Sequence, residues 1–512
     1  CIIMVGDNYK KLDESTYEIG PSENQMQLLL KNLSAKVYHH IYCIFTDSCT
    51  IDNRLVDELN IRASILLFFL RELMKQNTHI ERNLTIITQN AVKINANETP
   101  QTMWACLSGI VQVVSQEYPL IRSKYIDIDE YSDDILFAEP LSDTVGFQIA
   151  IRNRKIHGMN IVPCTNPLPP ARPMIRDNGV YIILGGFGGI GFQMARYIRR
   201  YKSTKLILVS RRHIPERHLW DICEVKEQYH ETIKLIQELD AGGSAVEWYE
   251  ADITDNKILN KVLSDVKIRH GHIHGIIHCA GEINSGLIIA NKPGTLIAKM
   301  RTKIACNIYL YNFLQNESID FYFLTSSIAA LYGGVGQADY TMANIFMATI
   351  AEQMRTCGIP AFCTYWSSWN KVGMDRRVIS HEDSHHIPLN LYECFYILEN
   401  IWRMQESGCI GVRFKSIATS KKTLVQETPL SDLSLCSYDD VLCNILSVCR
   451  SLFGDNRIKK SDNFFSIGGN SLLALEACRQ INKLYNNVLL VSDLYATASI
   501  DDLSKRLFSL LH

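Results

Sequence analysis

No stretch of this sequence stays apolar for long. The longest strongly apolar run, residues 65–70, falls far short of the roughly 20 residues that cross a bilayer, so no membrane span is expected. Charge of one sign is also lacking. The 52 Lys and Arg stand against 54 Asp and Glu, a net charge of −2, and so balanced a chain is not built around a polyanion such as nucleic acid. None of the 16 cysteines is spaced as C-x-x-C, which argues against zinc ribbons and dithiol redox motifs. Scattered thiols read instead as small apolar residues, kept reduced in a cytoplasmic protein. His270, His272 and His274 alternate along a strand-like stretch, and His381, His385 and His386 fall in a polar loop. Neither set comes with further ligands, so no metal site is expected. A signal peptide is not visible, and the chain opens on Cys1 rather than Met, which reads as a piece of a longer polypeptide.

What is present is an ordinary globular composition, 47% hydrophobic and 21% charged, in a chain too long for one core. Up to about Pro163, helix-like segments (25–33, 64–75, 101–116) alternate with β-rich runs such as 37–45 and 84–87. This is an α/β pattern without a glycine-rich phosphate turn. A proline-rich joint at 163–173 reads as a stiff surface connector. From about Met174 to Ala418 strand and helix repeat, with strand candidates at 180–184, 205–209, 245–249, 275–278 and 321–325. That alternation predicts a doubly wound parallel sheet with its ligand at the carboxyl ends of the strands. A polar stretch near 419–437 then leads to a small block with helices at 439–452, 471–484 and 500–511 and a short turn near 491–494.

The run Gly185-Gly186-Phe187-Gly188-Gly189-Ile190-Gly191 joins an apolar strand to a helix, and Gly186, Gly188 and Gly191 keep G-x-G-x-x-G spacing. Such a turn brings backbone amides to a dinucleotide's pyrophosphate at the positive end of a helix. The next strand ends in Ser210-Arg211-Arg212. Guanidinium groups there suit a 2′-phosphate, whereas a carboxylate would suit a free 2′-hydroxyl, so the expected cofactor is NADPH rather than NADH. Asp252 closes the third strand where an adenine amino group could be held, and Ala280 and Gly281 leave room for the cofactor after the fourth.

The fifth strand delivers Ser326 and Ser327, Tyr340 follows Ser327 by thirteen positions, and Asn344 lies one helical turn further on. Hydride reduction of a ketone leaves an alkoxide that needs a proton. A tyrosine can give it if its phenol, ordinarily near pKa ~10, is drawn toward neutrality by a nearby ammonium. A serine hydroxyl aimed at the same oxygen polarises the carbonyl. Lysine at 344 would complete the pattern of stand-alone short-chain dehydrogenases; asparagine stands there, so the cation must come from elsewhere.

Lys303, 24 residues before Ser327, makes a resemblance specific. The block resembles the ketoreductase domain of modular polyketide synthases and related nonribosomal assembly lines, in which the lysine and asparagine positions are exchanged. The resemblance implies a catalytic tetrad of Lys303, Ser327, Tyr340 and Asn344. The opening block, with Met103-Trp104-Ala105 and Gln116-Glu117-Tyr118-Pro119, is similar to that family's structural subdomain, a Rossmann-like half without a cofactor. Tyr365-Trp366-Ser367-Ser368-Trp369 and Val372-Gly373-Met374 match the segment after the catalytic helix, although Gly-Pro is usual in place of Ser367-Ser368. Residues 375–404 would then form a substrate lid. Leu-Asp-Asp, usual in one stereochemical class, is replaced by Ile283-Asn284-Ser285, and Tyr332 stands where the other class carries tryptophan. Absence of the Asp favours an L-hydroxy product.

The last block carries Asp462-Asn463-Phe464-Phe465-Ser466-Ile467-Gly468-Gly469-Asn470-Ser471-Leu472. A serine at a helix start after a glycine turn suits a phosphate ester. The string is similar to acyl and peptidyl carrier domains, which implies a four-helix fold and 4′-phosphopantetheine on Ser471. The expected architecture is therefore α/β, with two Rossmann-like doubly wound subdomains, structural at 1–170 and catalytic at 171–418. A linker at 419–437 leads to a small four-helix carrier at 438–512. The expected activity is NADPH-dependent reduction of a polyketide-type β-keto acyl thioester on the carrier arm. Expected partners are other domains of the same megasynthase and a phosphopantetheinyl transferase. An α-keto substrate in a depsipeptide-forming nonribosomal synthetase, and an inactive reductase-like scaffold that positions the carrier, are the alternatives.

Overall fold

Every residue of Val180–Leu184 and of Gly275–His278 is buried, as expected of parallel strands covered by helices on both faces. These two strands lie at the centre of a seven-stranded parallel sheet in this computed structural model. Lys205–Ser210 and Glu247–Glu250 follow on one side; Phe321–Ser327, Ala361–Trp366 and Cys409–Gly411 follow on the other. Chain direction across the sheet reverses between Val180–Leu184 and Gly275–His278, and this switch point opens a crevice at their carboxyl ends. The five strands expected in this block are all present, extended by up to two residues or shifted at their ends, and Ala361–Trp366 and Cys409–Gly411 are added.

The structure describes most of residues 2–511. It leaves out 131–147, 163–173, 373–386 and 413–436, and shorter stretches, chiefly 6–9, 13–15, parts of 20–37, 47–50, 76–79, 283–285, 291–294, 468–470 and 486–488. The proline joint, nearly all of the expected linker, the first part of the expected lid, Ile283-Asn284-Ser285, and His381, His385 and His386 therefore lie outside the described residues, as does most of the helix expected at 25–33.

The opening block forms a second sheet of eight strands: Lys10–Lys11, Thr16–Ile19, Ile2–Val5, His40–Phe45, Arg82–Gln89, Ile121–Ile128, Gln148–Arg152 and Lys155–Gly158, in that spatial order. Only the outermost pair at each edge is antiparallel. The helix expected at 64–75 begins earlier, at Leu55. Its first turns bury Leu55, Leu59 and Ala63 at four-residue intervals among polar neighbours, an amphipathic stripe that the continuous apolar run had overshadowed. The helix expected at 101–116 is divided into Thr102–Ala105 and Ser108–Glu117.

The two halves share a core. Ile110 and Val114 of Ser108–Glu117 belong to the same buried cluster as Met342 and Phe346 of Ala338–Thr356. Gly109 makes this close approach possible, because a Cβ there would stand 2.9 Å from the Met342 backbone nitrogen.

The last block is a bundle of Tyr438–Phe453, Ser471–Leu484, Val491–Ala496 and Ile500–Leu511. The turn expected near 491–494 is a short helix instead. Leu494 is buried in the bundle, and the fully buried Asp493 accepts a bond from Arg506 Nε at 3.3 Å, which pins the segment to the last helix. Leu287 of the preceding block joins the bundle's buried cluster, with Ile289 and Val335 packed against it. Among the described residues, no helix is long and apolar enough to cross a membrane.

Candidate active site

Gly185 leaves the central strand with φ +81°, a conformation open to glycine and costly for other residues. A Cβ on it would lie 2.7 Å from the Ala280 backbone, and one on Gly191 would run into the Gly185 carbonyl. Gly186 packs on Leu208, where a Cβ would meet Cδ2 at 2.8 Å, and Gly188 faces the Gly185 carbonyl. The turn is thus set by Gly185 as much as by the three glycines that the motif spacing singles out. Helix Gly189–Ile198 starts at Gly188 with no side chain capping it, so its first amides are left for an anion. Ile190 is half-buried, whereas Phe187 is buried in the hydrophobic cluster with Phe192 and Leu206 and braces the turn from inside.

The two arginines diverge. Arg212 is tied back, with Nη1 donating to Thr232 Oγ1 at 3.1 Å and its N–H donating to Ser210 Oγ at 3.1 Å. Arg211 is largely exposed at the strand end and pairs with Glu282. Asp252 Oδ1 accepts from the Thr254 N–H at 2.9 Å and its hydroxyl at 2.8 Å. Burial alone would raise the Asp252 carboxyl. Those two bonds, with Arg211 and Arg301 nearby, hold it below the usual range. Asp252, Thr254, Asp255 and Arg301 line an open pocket of about 470 Å³.

Across the switch point, Gly281 serves a purpose the sequence reading missed. A Cβ there would sit 2.8 Å from Lys303 Cε, so the missing side chain admits the lysine stem. Lys303, on helix Thr295–Leu314, is 7% exposed and donates to Asn344 Oδ1 at 2.6 Å and to the Thr325 carbonyl at 3.5 Å. Its ammonium lies 5.3 Å from the centre of the Tyr340 ring. Burial pushes the Lys303 ammonium down to about 8. Burial, with the Lys303 charge adding, pushes His278 down to about 3 and keeps its ring neutral.

Asn344 is fully buried, and its Nδ2 donates to the Tyr340 carbonyl at 2.8 Å, one turn back in helix Ala338–Thr356. Ser326 Oγ donates to the Asn344 carbonyl at 3.0 Å, and Thr325 Oγ1 donates to the His278 carbonyl at 2.9 Å. These two strand-end residues, which sequence reasoning gave no role, lock the fifth strand to the fourth strand and to helix Ala338–Thr356. Ser327 is half-buried at the strand's carboxyl end, where its Oγ accepts the Ala329 N–H at 3.2 Å. Tyr340 is half-buried in the first turn of its helix. Ser471 opens helix Ser471–Leu484; the three residues before it lie outside the described residues.

Three families match separate parts of the chain. Residues 179–371 match the KR domain family and residues 443–507 match the phosphopantetheine attachment site, while residues 1–140 match a family described as beta-ketoacyl synthase-like, N-terminal. The chain is 27% identical over 319 residues to 6-methylsalicylic acid synthase of Penicillium patulum, covering 60% of this chain and 17% of that protein. It is 27% identical over 310 residues to polyketide synthase PksM of Bacillus subtilis, covering 60% of this chain and 7% of the synthase. The chain therefore spans a small part of these relatives. Among solved structures, an A1-type ketoreductase superposes with a TM-score of 0.64 at 19% identity, covering 81% of this chain and 89% of that one. A keto acid-selecting nonribosomal synthetase module with a ketoreductase superposes with a TM-score of 0.66 at 19% identity, covering 80% of this chain and 35% of that one.

Proposed function

We propose, for a chain that joins a KR-domain oxidoreductase to a phosphopantetheine carrier domain, that it reduces a β-keto acyl thioester held on its own carrier to the hydroxy acyl thioester. NADPH is the proposed reductant. The observation that carries this reading is the buried Lys303 ammonium, bonded to Asn344 and standing over the Tyr340 ring. A buried charge of this kind is costly unless it is paired or hydrogen-bonded, and ionisable groups so perturbed cluster at functional sites.

The residues present fit a dinucleotide. The positive φ of Gly185, the close approach at Gly191 and the uncapped helix start form a cradle that any Cβ would fill. Gly186, Gly188, Gly189, Ile190 and Gly191 would hold the pyrophosphate. Arg211, with Ser210 and Arg212 beside it, would hold the 2′-phosphate, for which Glu282 must give way. Asp252 would receive the adenine, with Ala280 and Gly281 along the nicotinamide side. Bound there, NADPH supplies the hydride that reduces the carbonyl.

The chain's own residues handle the oxygen and the proton. Ser327 Oγ donates to the carbonyl oxygen and polarises it. Tyr340 gives its phenolic proton to that oxygen, which becomes the hydroxyl. Lys303 stabilises the phenolate left behind, and Asn344 fixes the ammonium in place through its Oδ1. The arm on Ser471 would present the thioester, so a high local concentration replaces tight binding in the cleft. The proposed division is 1–170 as brace, 171–418 as reductase, 419–437 as linker and 438–512 as carrier. It is supported by the two sheets and the helical bundle. The polyketide synthase relatives favour β- over α-keto substrates, and the proposed product is the L-hydroxy epimer.

Intact-mass measurement tests the whole proposal. The pantetheinylated protein is loaded in turn with β- and α-keto acyl groups and mixed with NADPH. The β-keto form should gain the mass of two hydrogens, and the Ser471→Ala protein should carry no acyl group. No mass gain in either loaded form would leave the scaffold alternative standing.

A further inference from the structure

Helix Ser108–Glu117 belongs to the opening half, yet its last turns reach into the reductase. Glu117 is 6% exposed, and its carboxyl group accepts two backbone N–H groups of the other half: Ile288 on Oε2 at 2.7 Å and Gly336 on Oε1 at 3.0 Å. Ile288 lies in the short turn after the segment that follows Gly281, and Gly336 lies four residues before Tyr340. The two loops also bond directly, through the Gly286 N–H and the Gly336 carbonyl at 2.8 Å. On the same helix, Gln112 Nε2 donates to the Ala330 carbonyl at 3.2 Å and Gln116 Nε2 to the Tyr332 carbonyl at 2.6 Å. Two bonds from glutamines and two to a carboxyl thus fix the backbone between Ser327 and Tyr340 and tie it to the loop after the fourth strand.

Burial pushes the Glu117 carboxyl up to about 8, with Asp339 adding to the rise and the two amide bonds opposing it. A group this costly to bury persists where its bonds are needed. The apolar side chains of the same loops, Leu287, Ile289 and Val335, are those that pack against the carrier bundle.

We infer that the carboxyl-terminal half of helix Ser108–Glu117, with Glu117 as its principal contact, is a positioning element for the reductase centre. It sets the two loops that wall the substrate side of the cleft, without touching substrate or cofactor. This rests on the reductase reading, so the test includes a measurement independent of turnover. Glu117→Gln keeps the size of the side chain but turns one acceptor of the carboxylate into a donor that faces an N–H. Because burial holds the carboxyl at about 8, amide exchange is compared above that pH, where the parent group is ionised. In that variant the amides of Ile288 and Gly336 should exchange with solvent at least tenfold faster, while those of Gly185–Gly191 stay unchanged. The kcat for a keto thioester should fall about tenfold or more, with the KM for NADPH unaltered. Gln116→Ala, at an exposed position, should fold normally and lower kcat by a smaller factor, and it decides the matter if the Glu117→Gln protein does not fold. Unchanged exchange at 288 and 336, an unchanged kcat, or a parallel loss of NADPH affinity would overturn the inference. An inactive parent protein would count against the reductase reading alone, because exchange at the two amides still decides the positioning role.

Discussion

The two sheets treat the backbone amides at their strand ends in opposite ways. After Arg82–Gln89, the N–H groups of Ala91 and Val92 donate to the Asp127 carboxyl at 2.8 and 3.1 Å. That carboxyl also takes the Thr88 hydroxyl at 2.7 Å and Arg152 Nη2 at 2.6 Å, and Arg152 goes on to Glu98 at 3.1 Å. Asp127 is fully buried and Arg152 3% exposed. The first sheet therefore closes its end with an anion of its own, held by an internal cation. After Val180–Leu184, no side chain caps the helix, and glycines keep the turn clear. On the proposed reading, similar layered architecture is a brace where a carboxyl fills the strand end and a binding cradle where glycine leaves it open.

The sharpest way to break this comparison is at the open end. Tyr340→Phe should lower NADPH oxidation by roughly 10²–10⁴-fold and leave NADPH binding intact by calorimetry; undiminished turnover would remove Tyr340 from its role. At the closed end, Arg152→Met leaves Asp127 buried without its cation. Urea unfolding should then show a loss of about 3–5 kcal/mol, with kcat unchanged in the protein that remains folded. A loss below about 1 kcal/mol, the range of an exposed pair, would mean that the internal anion is not a brace.

Electrostatics sharpens the contrast further. Burial holds the Lys303 ammonium at about 8, below its ordinary value, so the charged form exists below that pH and is lost above it. Turnover should therefore decline as pH rises through about 8, and Lys303→Met should flatten that limb at a low rate. A parent profile that stays level well above pH 8 would contradict the part given to Lys303. The smallest expected effect lies at the cradle's rim. Arg211→Ala should raise the KM for NADPH roughly tenfold and barely alter that for NADH, whereas equal changes for both would place the 2′-phosphate elsewhere.

Legibility differed between the same regions. Five of the seven reductase strands were readable, most plainly Val180–Leu184 and Gly275–His278, which are short and fully buried. The opening sheet was less readable: Gln148–Arg152 and Lys155–Gly158 are short strands of mixed composition at one edge, and Ile2–Val5 is apolar but only four residues long. Strand pairing there depends on partners far along the chain rather than on local pattern. In the site, Tyr340 and Asn344 could be related by helical spacing and Ser327 by its place at the fifth strand's end, whereas Lys303 entered only through resemblance to a family. Gly185 lay in full view within the glycine run, but motif spacing alone does not say which glycine takes the positive φ.

Local rules in the amino-acid order were enough to specify five of the seven strands of the reductase block, that a glycine turn joins the first strand to its helix, and that a serine opens a carrier helix. Such features depend on neighbours a few residues apart, whose geometry the backbone dictates. Packing alone decided that Lys303 meets Asn344 across 41 positions, that Gly281 clears a path for its stem, and that Glu117 secures loops more than 170 residues away. The Glu117 contacts arise only when two separately built halves bury a shared core, the other two only when helices far apart in sequence pack beside one sheet, and no periodicity along the chain encodes either register.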